Sequence, residues 1–333
     1  MERINWIDWA KSIAITMVVF GHIPEGLDNF LIRYICIFHM PLFFFISGYL
    51  SKKNTDLHTS LHKYWHSLII PYFLYNMIFY PYWLIRYKLE NEGDFSAFDI
   101  VTKPVMGVLF GQIETPISCT VSGVTWFLVA LLFMRVIFDF CNKYKNGILI
   151  MIVASFIFTV IYVSSEYYHT LNNLLMKGFL RCVPFYVLGH LIHRKHCYLG
   201  TNIINQAITA ITLYAVSIAI FFLTKHSDSF FIHIVRGYSI SLTAIFAVLS
   251  TCKLLNNFTS KAIINISTGT IMIMGLHWMF IGTINYFLQK ILGLGNEIQY
   301  EWYTAIILSI VIVIMIYPFI LIAKKHFPVF LGK

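Results

Sequence analysis

Residues 4–23 read INWIDWAKSIAITMVVFGHI, an apolar stretch as long as a helix must be to cross the hydrocarbon core of a membrane. Nine further apolar stretches follow, near residues 31–50, 67–87, 123–141, 147–164, 174–192, 203–223, 233–252, 265–288 and 302–323. No alternating strand pattern of the kind that membrane barrels use is visible. The sequence therefore predicts an all-α integral membrane protein, a bundle of about ten transmembrane helices.

The composition agrees with this assignment. Hydrophobic residues make up 58% of the chain and charged residues only 12%, whereas soluble domains have roughly 25% charged residues. These values exclude an ordinary soluble enzyme. Because no long linker, low-complexity run or soluble module interrupts the apolar stretches, we expect residues 1–333 to form a single transmembrane domain.

The distribution of charge predicts the orientation. With the N-terminus inside, 13 of the 24 Lys and Arg residues fall in inner segments and 11 of the 15 Asp and Glu residues in outer ones. Cytoplasmic loops carry an excess of Lys and Arg, so we expect both termini inside and an even number of spans. The net charge of +9 then reflects a surface that faces anionic lipid, and nucleic acid is not an expected partner. The first stretch lacks a signal-peptide pattern and should remain as the first span.

Two polar residues within the first stretch, Lys11 and His22, are the strongest indication of function. A lysine or histidine within a membrane-spanning segment costs free energy and usually marks a functional site. Eleven residues are close to three helical turns, so both side chains project from one face, roughly 16 Å apart along the axis. Asp8 shares that face, and it could form an ion pair with Lys11 that lowers the cost of both charges.

The chain resembles the membrane acyltransferase 3 family. Residues 7–22 are similar to its first helix, which carries an Arg or Lys, ten residues and a His. Residues 40–50, MPLFFFISGYL, look like its second helix, and residues 63–72 are similar to the basic loop before its third helix. Further similar segments lie at 125–128, 181–189 and 267–277. The chain is most similar to the short branch that includes fucose and N-acetylhexosamine O-acetylases. This resemblance implies acetyl-CoA as the acyl donor, with no bound cofactor.

Two histidines are the predicted catalytic residues. An alcohol is a poor nucleophile until its proton is removed, and an imidazole that titrates near neutrality suits that task. His22 could act as this base or could itself carry the acyl group; the structural alternative is a buried, hydrogen-bonded packing residue. His39 could assist His22, or it could satisfy a backbone carbonyl that Pro41 leaves without a donor.

Further residues are predicted to bind the substrates. Lys11 could contact a phosphate or the thioester oxygen of acetyl-CoA, and Lys63 and His66 stand where the family commonly has paired arginines. Positive-inside charge explains Lys63 and its basic neighbours equally well. The residues expected in the acceptor cavity are Asp8, Ser47, Trp126, Arg181 and His277. A packed aromatic–histidine cluster is the alternative for His277, and Trp126 could stack on a sugar ring.

Metal and disulfide frameworks are not expected. His58, His62 and His66 are spaced to share one helical face, but no acid accompanies them in an HExxH arrangement. The six cysteines form no CxxC pair. The stretch 88–122, in contrast, is long for a loop in a compact protein and is therefore of functional interest. We expect it to be a re-entrant or surface-lying segment over the outer mouth of the bundle.

These observations predict a membrane O-acetyltransferase of the bacterial cytoplasmic membrane. It would transfer an acetyl group from cytoplasmic acetyl-CoA to a hydroxyl of a cell-surface polysaccharide, such as lipopolysaccharide or exopolysaccharide, or of a lipid-linked sugar. A transporter or flippase of a polar or lipid-linked solute is the alternative, since intramembrane Lys, Arg and His suit that role. Against it stands the absence of paired, broken spans in two similar halves. A sensory or scaffolding protein should tolerate alanine at both Lys11 and His22.

Overall fold

The computed structural model describes residues 3–24, 29–52, 56–91, 96–170, 173–194, 202–224, 229–291, 293 and 298–333. Every regular element within these ranges is helical. The α-helices are α1 Asn5–Gly21, α2 Phe30–Tyr49, α3 Leu57–Tyr64, α4 Ile70–Glu90, α5 Lys103–Leu109, α6 Trp126–Asn142, α7 Gly147–Tyr167, α8 Leu174–Arg194, α9 Ile203–Leu223, α10 Phe230–Leu254, α11 Lys261–Thr268, α12 Thr270–Lys290 and α13 Trp302–His326.

Each of the ten predicted stretches contains a helix, and eight of the described helices are long and apolar enough to cross a membrane. The all-helical membrane architecture is thereby confirmed. Helices α1 and α6 have 17 residues each, which is the lower limit for a span, so the count of ten spans stays a prediction. The orientation of the bundle in the membrane also stays a prediction. A π-helical turn, Trp65–Ile69, joins α3 to α4 in one helix of 34 residues. The stretch 265–288 is broken at Gly269, where α11 ends and α12 begins.

The two ends of α1 define the two ends of the bundle. At one end the Asn5 side chain donates to the backbone carbonyl of Phe258, just after α10 (3.0 Å). At the other end the backbone N–H of Tyr300, just before α13, donates to the carbonyl of Pro24 (3.0 Å). We call these the Asn5 end and the Gly21 end. Buried apolar side chains from Ile7 to Leu331 form one hydrophobic core between them.

Two glycines allow the backbones of α2 and α8 to approach closely. A Cβ atom at Gly48 of α2 would collide with the carbonyl of Tyr186 on α8, and one at Gly189 of α8 would collide with the carbonyl of Phe45 on α2. Small residues at helix contacts allow this approach in membranes, where van der Waals packing replaces much of the hydrophobic driving force. The contact fixes α2 and, with it, the residues that α2 presents to the functional site.

We expect the substitution Gly48→Ala to destabilise the protein, because the added methyl group meets backbone rather than a flexible side chain. Overpacking of this kind typically costs about 1–3 kcal/mol. The midpoint of thermal unfolding of the purified protein in detergent should fall clearly below that of the wild type. Gly237→Ala on α10 is the matched control, since no atom lies within 4 Å of a Cβ there. Equal midpoints for the two variants would contradict the close α2–α8 contact.

The segment before α6 folds back along α4. The hydroxyl of Tyr80 donates to the carbonyl of Ile100 (2.5 Å), and that of Tyr72 donates to the carbonyl of Val108 (2.6 Å). Eight residues of α4 and eight residues of the segment therefore run side by side in opposite directions, over about 12 Å of helix. This path along a helix long and apolar enough to span a membrane favours the re-entrant form of the two predicted, and the position of the segment relative to lipid stays a prediction.

The return of this segment depends on Gln112. Its backbone has φ 69°, in the left-handed region that side chains rarely adopt. Its side-chain oxygen accepts hydrogen bonds from the backbone N–H groups of Val121 (2.8 Å) and Ser122 (3.2 Å), and its amide nitrogen donates to the side chain of Asn76 (2.7 Å). The segment is thereby attached to α4 before it leads into α6.

Candidate active site

A cavity of about 180 Å³ lies beside α1, and both Lys11 and His22 line it. Ile15 and Val18 lie between them on the same wall, so that the four lining residues are spaced four, three and four positions apart. This spacing is typical of one face of an α-helix. The other predicted residues on its walls are Ser47 on α2 and Trp126 on α6. Lining residues not predicted from the sequence include Ser67, Arg135, Thr270, Met274 and Gly332. We call this space the His22 cavity.

His22 lies against two aromatic side chains of α12. Its ring is stacked on that of His277, with centroids 5.1 Å apart and planes at 17°, and it meets the edge of Trp278 at 5.4 Å. Within the described residues the imidazole of His22 makes no hydrogen bond. Both of its ring nitrogens are therefore available to a substrate or to water.

The protonation pattern of His277 follows from one hydrogen bond. Its Nδ1 lies 3.0 Å from the carbonyl of Ile273; a carbonyl only accepts, so Nδ1 carries the hydrogen. In the neutral ring Nε2 is then the acceptor, and this atom is buried without a hydrogen-bond partner. A buried acceptor without a donor is uncommon in folded proteins. The ring stacked on His22 thus holds an unused proton acceptor.

His39 has the same tautomer for the same reason, since its Nδ1 donates to the carbonyl of Ile35 (3.0 Å). The carbonyl that Pro41 leaves without a backbone donor is that of Ile37, four residues earlier. It is satisfied instead by Arg181 of α8 (Nη2, 2.6 Å) and Ser241 of α10 (Oγ, 2.9 Å). The alternative that His39 satisfies this carbonyl is therefore wrong. His39 lies within electrostatic range of His22.

The predicted pairing of Asp8 with Lys11 is also wrong, because other groups hold the carboxylate. Arg3 binds Asp8 through two nitrogens, at 2.5 and 3.0 Å, and the Ser267 hydroxyl donates to it at 2.5 Å. Asp8 does not line the His22 cavity. The Lys11 ammonium, in contrast, makes neither a hydrogen bond nor an ion pair within the described residues. A partly buried cation without a partner favours an anionic ligand.

Arg135 is a second cation on the same cavity, and sequence reasoning did not single it out. It lies over the ring of Tyr64, with Cζ 5.6 Å from the ring centroid, and within electrostatic range of Lys11. The Tyr64 hydroxyl donates to Asp139 (2.5 Å), so that carboxylate is already engaged. The sequence does contain a pattern that could have indicated Arg135. It follows Leu128 and Leu131 at helical spacing, and all three residues line the cavity from one face of α6.

Lys63 and His66 do not reach the His22 cavity. The buried face of the helix that contains them carries Ser60, Tyr64 and Leu68 at four-residue spacing, and both predicted residues are exposed on other faces. Ser67 lines the cavity instead, and its hydroxyl is buried without a hydrogen-bond partner. The structure therefore places the serine of this loop, rather than its basic residues, beside the predicted donor site.

The re-entrant segment reaches the histidine cluster through its last residues. A Cβ at Gly123 would lie 2.9 Å from the Trp278 ring, the same ring that contacts His22. Val124 and Trp126 follow directly and line the cavity. Trp126 packs so closely on Gly178 of α8 that a Cβ there would meet its ring. One wall of the site is thereby contributed by the end of the segment of residues 96–125 together with Trp126, the first residue of α6.

No group of three or more His, Cys, Asp and Glu side chains in the described ranges is arranged to hold a metal ion. His62 and His66 lie close together, with ring centroids 4.8 Å apart, on the exposed surface away from the cavity. The groups that the described cavity does offer are the His22 imidazole, the cations Lys11 and Arg135, and the hydroxyls of Ser47 and Ser67.

Comparison with known proteins assigns the family. The family model described as "Acyltransferase domain" matches residues 4–324, which includes every helix that lines the His22 cavity. No curated protein and no solved structure matches the chain. The predicted resemblance is thereby confirmed over nearly the whole sequence. The chain belongs to the membrane acyltransferase 3 family and is a multi-pass membrane acyltransferase.

Proposed function

We propose that this acyltransferase is an O-acetyltransferase that uses acetyl-CoA and acetylates a hydroxyl of a cell-surface polysaccharide or lipid-linked sugar. The observation that carries the proposal is the distribution of polar groups along the His22 cavity. Lys11 and Arg135, two cations without anionic partners in the described chain, lie toward the Asn5 end. An imidazole with free ring nitrogens lies toward the Gly21 end. A cation pair suits a donor with phosphates, and an imidazole suits an alcohol acceptor.

The orientation that we propose places the Asn5 end in the cytoplasm, because the excess of Lys and Arg lies in the segments at that end. The membrane would be the bacterial cytoplasmic membrane. Acetyl-CoA would enter between Lys11 and Arg135 with its thioester directed toward His22. The acceptor would approach His22 from the Gly21 end or laterally from lipid. Donor and acceptor would thus meet inside one cavity without crossing the bilayer.

In the proposed reaction, neutral His22 accepts the proton of the acceptor hydroxyl while its oxygen attacks the thioester carbon. The tetrahedral intermediate collapses, the carbon–sulfur bond breaks, and the CoA thiolate takes the proton from the His22 imidazolium. His277 would orient His22 through the stacked rings. In the covalent alternative, His22 first takes the acetyl group, CoA leaves, and the hydroxyl then attacks the acetyl-imidazole.

Thiol release tests the proposal against transport. Inverted vesicles with and without the protein receive acetyl-CoA together with an extract of lipid-linked sugars, and free CoA is measured over time. We expect protein-dependent CoA release from acetyl-CoA supplied on the cytoplasmic side. A transporter would leave the thioester intact. Release only from acetyl-CoA on the opposite side would overturn the proposed orientation.

A further inference from the structure

The chain after α13 turns back into the bundle at the Asn5 end. Lys324, in the last turn of α13, donates to Asn265 of α11 (2.9 Å), the helix that Arg3 also contacts. A short 3-10 helix, Pro328–Leu331, follows, and its last residue is buried in the hydrophobic core. We call residues 327–333 the Pro328 turn. The chain therefore returns to the core after the last long helix.

Hydrogen bonds fix the Pro328 turn against α4. The hydroxyl of Tyr75 on α4 donates to the carbonyl of Phe330 (2.6 Å). The Tyr75 ring packs so closely on Gly275 of α12 that a Cβ there would collide with it. The backbone N–H groups of Gly332 and Lys333 donate to carbonyls within the turn, at 3.1 and 3.2 Å. The conformation and the position of the turn are therefore both defined.

Gly332 brings the turn to the wall of the His22 cavity. Its φ of 70° lies in the left-handed region that favours glycine. A Cβ there would lie 2.7 Å from the carbonyl oxygen of Ser67, which lines the same cavity. The Ser67 hydroxyl is buried without a hydrogen-bond partner. Gly332 thus allows the turn to close the cavity beside an unused polar group.

Lys333 adds a third positive charge at this end of the cavity. It follows Gly332 directly and lies within electrostatic range of Lys11, as Arg135 does. Its ammonium makes neither a hydrogen bond nor an ion pair within the described residues. The described walls of the cavity contain neither Asp nor Glu. Because like charges repel one another, an anion between the three cations would stabilise this arrangement.

Acetyl-CoA has the groups that such a site would bind. Its diphosphate and its separate 3′-phosphate carry several negative charges, and its pantetheine arm carries two amides. Ammonium and guanidinium groups form strong, charge-assisted hydrogen bonds to phosphate. A buried hydroxyl without a partner is uncommon in folded proteins, and an amide of the arm would supply the partner that Ser67 lacks.

We propose that the Pro328 turn is part of the donor site, where Lys333 binds a phosphate group of acetyl-CoA and Gly332 supports the wall from which Ser67 contacts the pantetheine arm. This assignment rests on the proposed use of acetyl-CoA as the acyl donor. Lys11 and Arg135 would share the phosphates with Lys333. The turn acts on donor affinity and takes no part in the chemical step at His22.

Equilibrium binding of two ligands tests this proposal without the reaction. The purified protein in detergent is titrated with labelled CoA, and pantetheine, which has no phosphate group, is measured as a competitor. Lys333→Gln should weaken CoA binding by about threefold to fivefold, the effect of losing an exposed ionic contact, and should leave pantetheine binding unaltered. Lys325→Gln is the matched control, since Lys325 is exposed in the last turn of α13 and does not line the cavity.

A glycine pair tests the wall of the site. Gly332→Ala should weaken the binding of both ligands, because the added methyl group pushes Ser67 away from its place on the wall. Gly293→Ala is the matched control: its φ of 67° is nearly the same, but no atom lies within 4 Å of a Cβ there. It reports the strain of a left-handed backbone alone and should not change binding. Midpoints of thermal unfolding show that each variant is folded.

Two outcomes would overturn the proposal. The first is a Lys333→Gln variant that binds CoA as the wild type does, or that loses CoA and pantetheine binding equally, since neither result fits a phosphate contact. The second is a folded Gly332→Ala variant with unaltered binding of both ligands.

The same measurements separate this proposal from the proposed function. Binding with the expected changes in the variants, but no CoA release from acetyl-CoA in the presence of acceptor, would refute the transfer and keep the donor site. CoA release by the wild type, with unaltered binding in both Lys333→Gln and Gly332→Ala, would do the reverse. Absence of CoA binding to the wild type would overturn acetyl-CoA as the donor and this proposal with it.

Discussion

Replacement of His22 by alanine is expected to lower the rate of CoA release by about 10²–10⁴-fold, the usual contribution of a positioned general base. The imidazole has no hydrogen bond to the described part of the chain, so its loss leaves no buried partner unsatisfied. We therefore expect normal membrane levels and a nearly unchanged midpoint of thermal unfolding. His326→Ala is the control, because that histidine is exposed at the end of α13. A variant that keeps half of the wild-type rate would exclude His22 from the chemistry.

The same residue allows the two proposed routes to be separated. Wild-type protein is mixed with labelled acetyl-CoA in the absence of an acceptor, quenched and digested. Label on the peptide that contains His22 would establish the acyl-carrier route. Complete absence of protein-bound label, together with rapid transfer once acceptor is added, would support the general-base route. His22→Ala is the blank for both measurements.

The second large effect is expected at the cation pair. Lys11→Met and Arg135→Gln should each raise the KM for acetyl-CoA by about tenfold or more and leave kcat nearly unchanged, because each removes a contact made equally in the ground and transition states. Lys145→Gln, an exposed lysine in the turn between α6 and α7, should have no effect.

Ionic strength gives an independent check on these two cations. Contacts between lysine or arginine and phosphates weaken as salt rises. The wild-type KM should therefore rise with salt more steeply than that of the Lys11→Met, Arg135→Gln double variant. Unchanged KM values in both single variants would contradict donor binding at this end of the cavity.

Much of the architecture could be predicted because membrane helices follow a simple physical rule. Backbone polar groups must be satisfied within each segment, so apolar length alone locates the helices. The break at Gly269 and the extension of α4 back to Leu57 were not predicted, since hydropathy does not report local helix geometry. The one-face arrangement of Lys11 and His22 was predictable because it depends only on the rise and turn of a single helix.

Residues whose role depends on distant partners could not be placed in this way. Asp8 pairs with Arg3 and Ser267, and the latter lies 259 positions along the chain. Arg135 reaches the cavity only because α6 packs against α3 and the π-helical turn that follows it. Lys63 was assigned from its position in a motif, but the buried face at Tyr64 directs it outward. Arg181 was expected in the acceptor cavity; the structure places it outside the His22 cavity, on the wall of a second cavity of about 260 Å³.

The measurement that tests the central claim most directly is transfer of label from acetyl-CoA to the glycan and lipid-linked sugar fractions. Membranes contain wild type, His22→Ala or His326→Ala at equal levels, and both label and free CoA are counted. We expect one acetyl group in the acceptor for each CoA released by wild type and His326→Ala, and neither product with His22→Ala. Equal labelling by His22→Ala, or CoA release without any acetylated acceptor, would contradict the account.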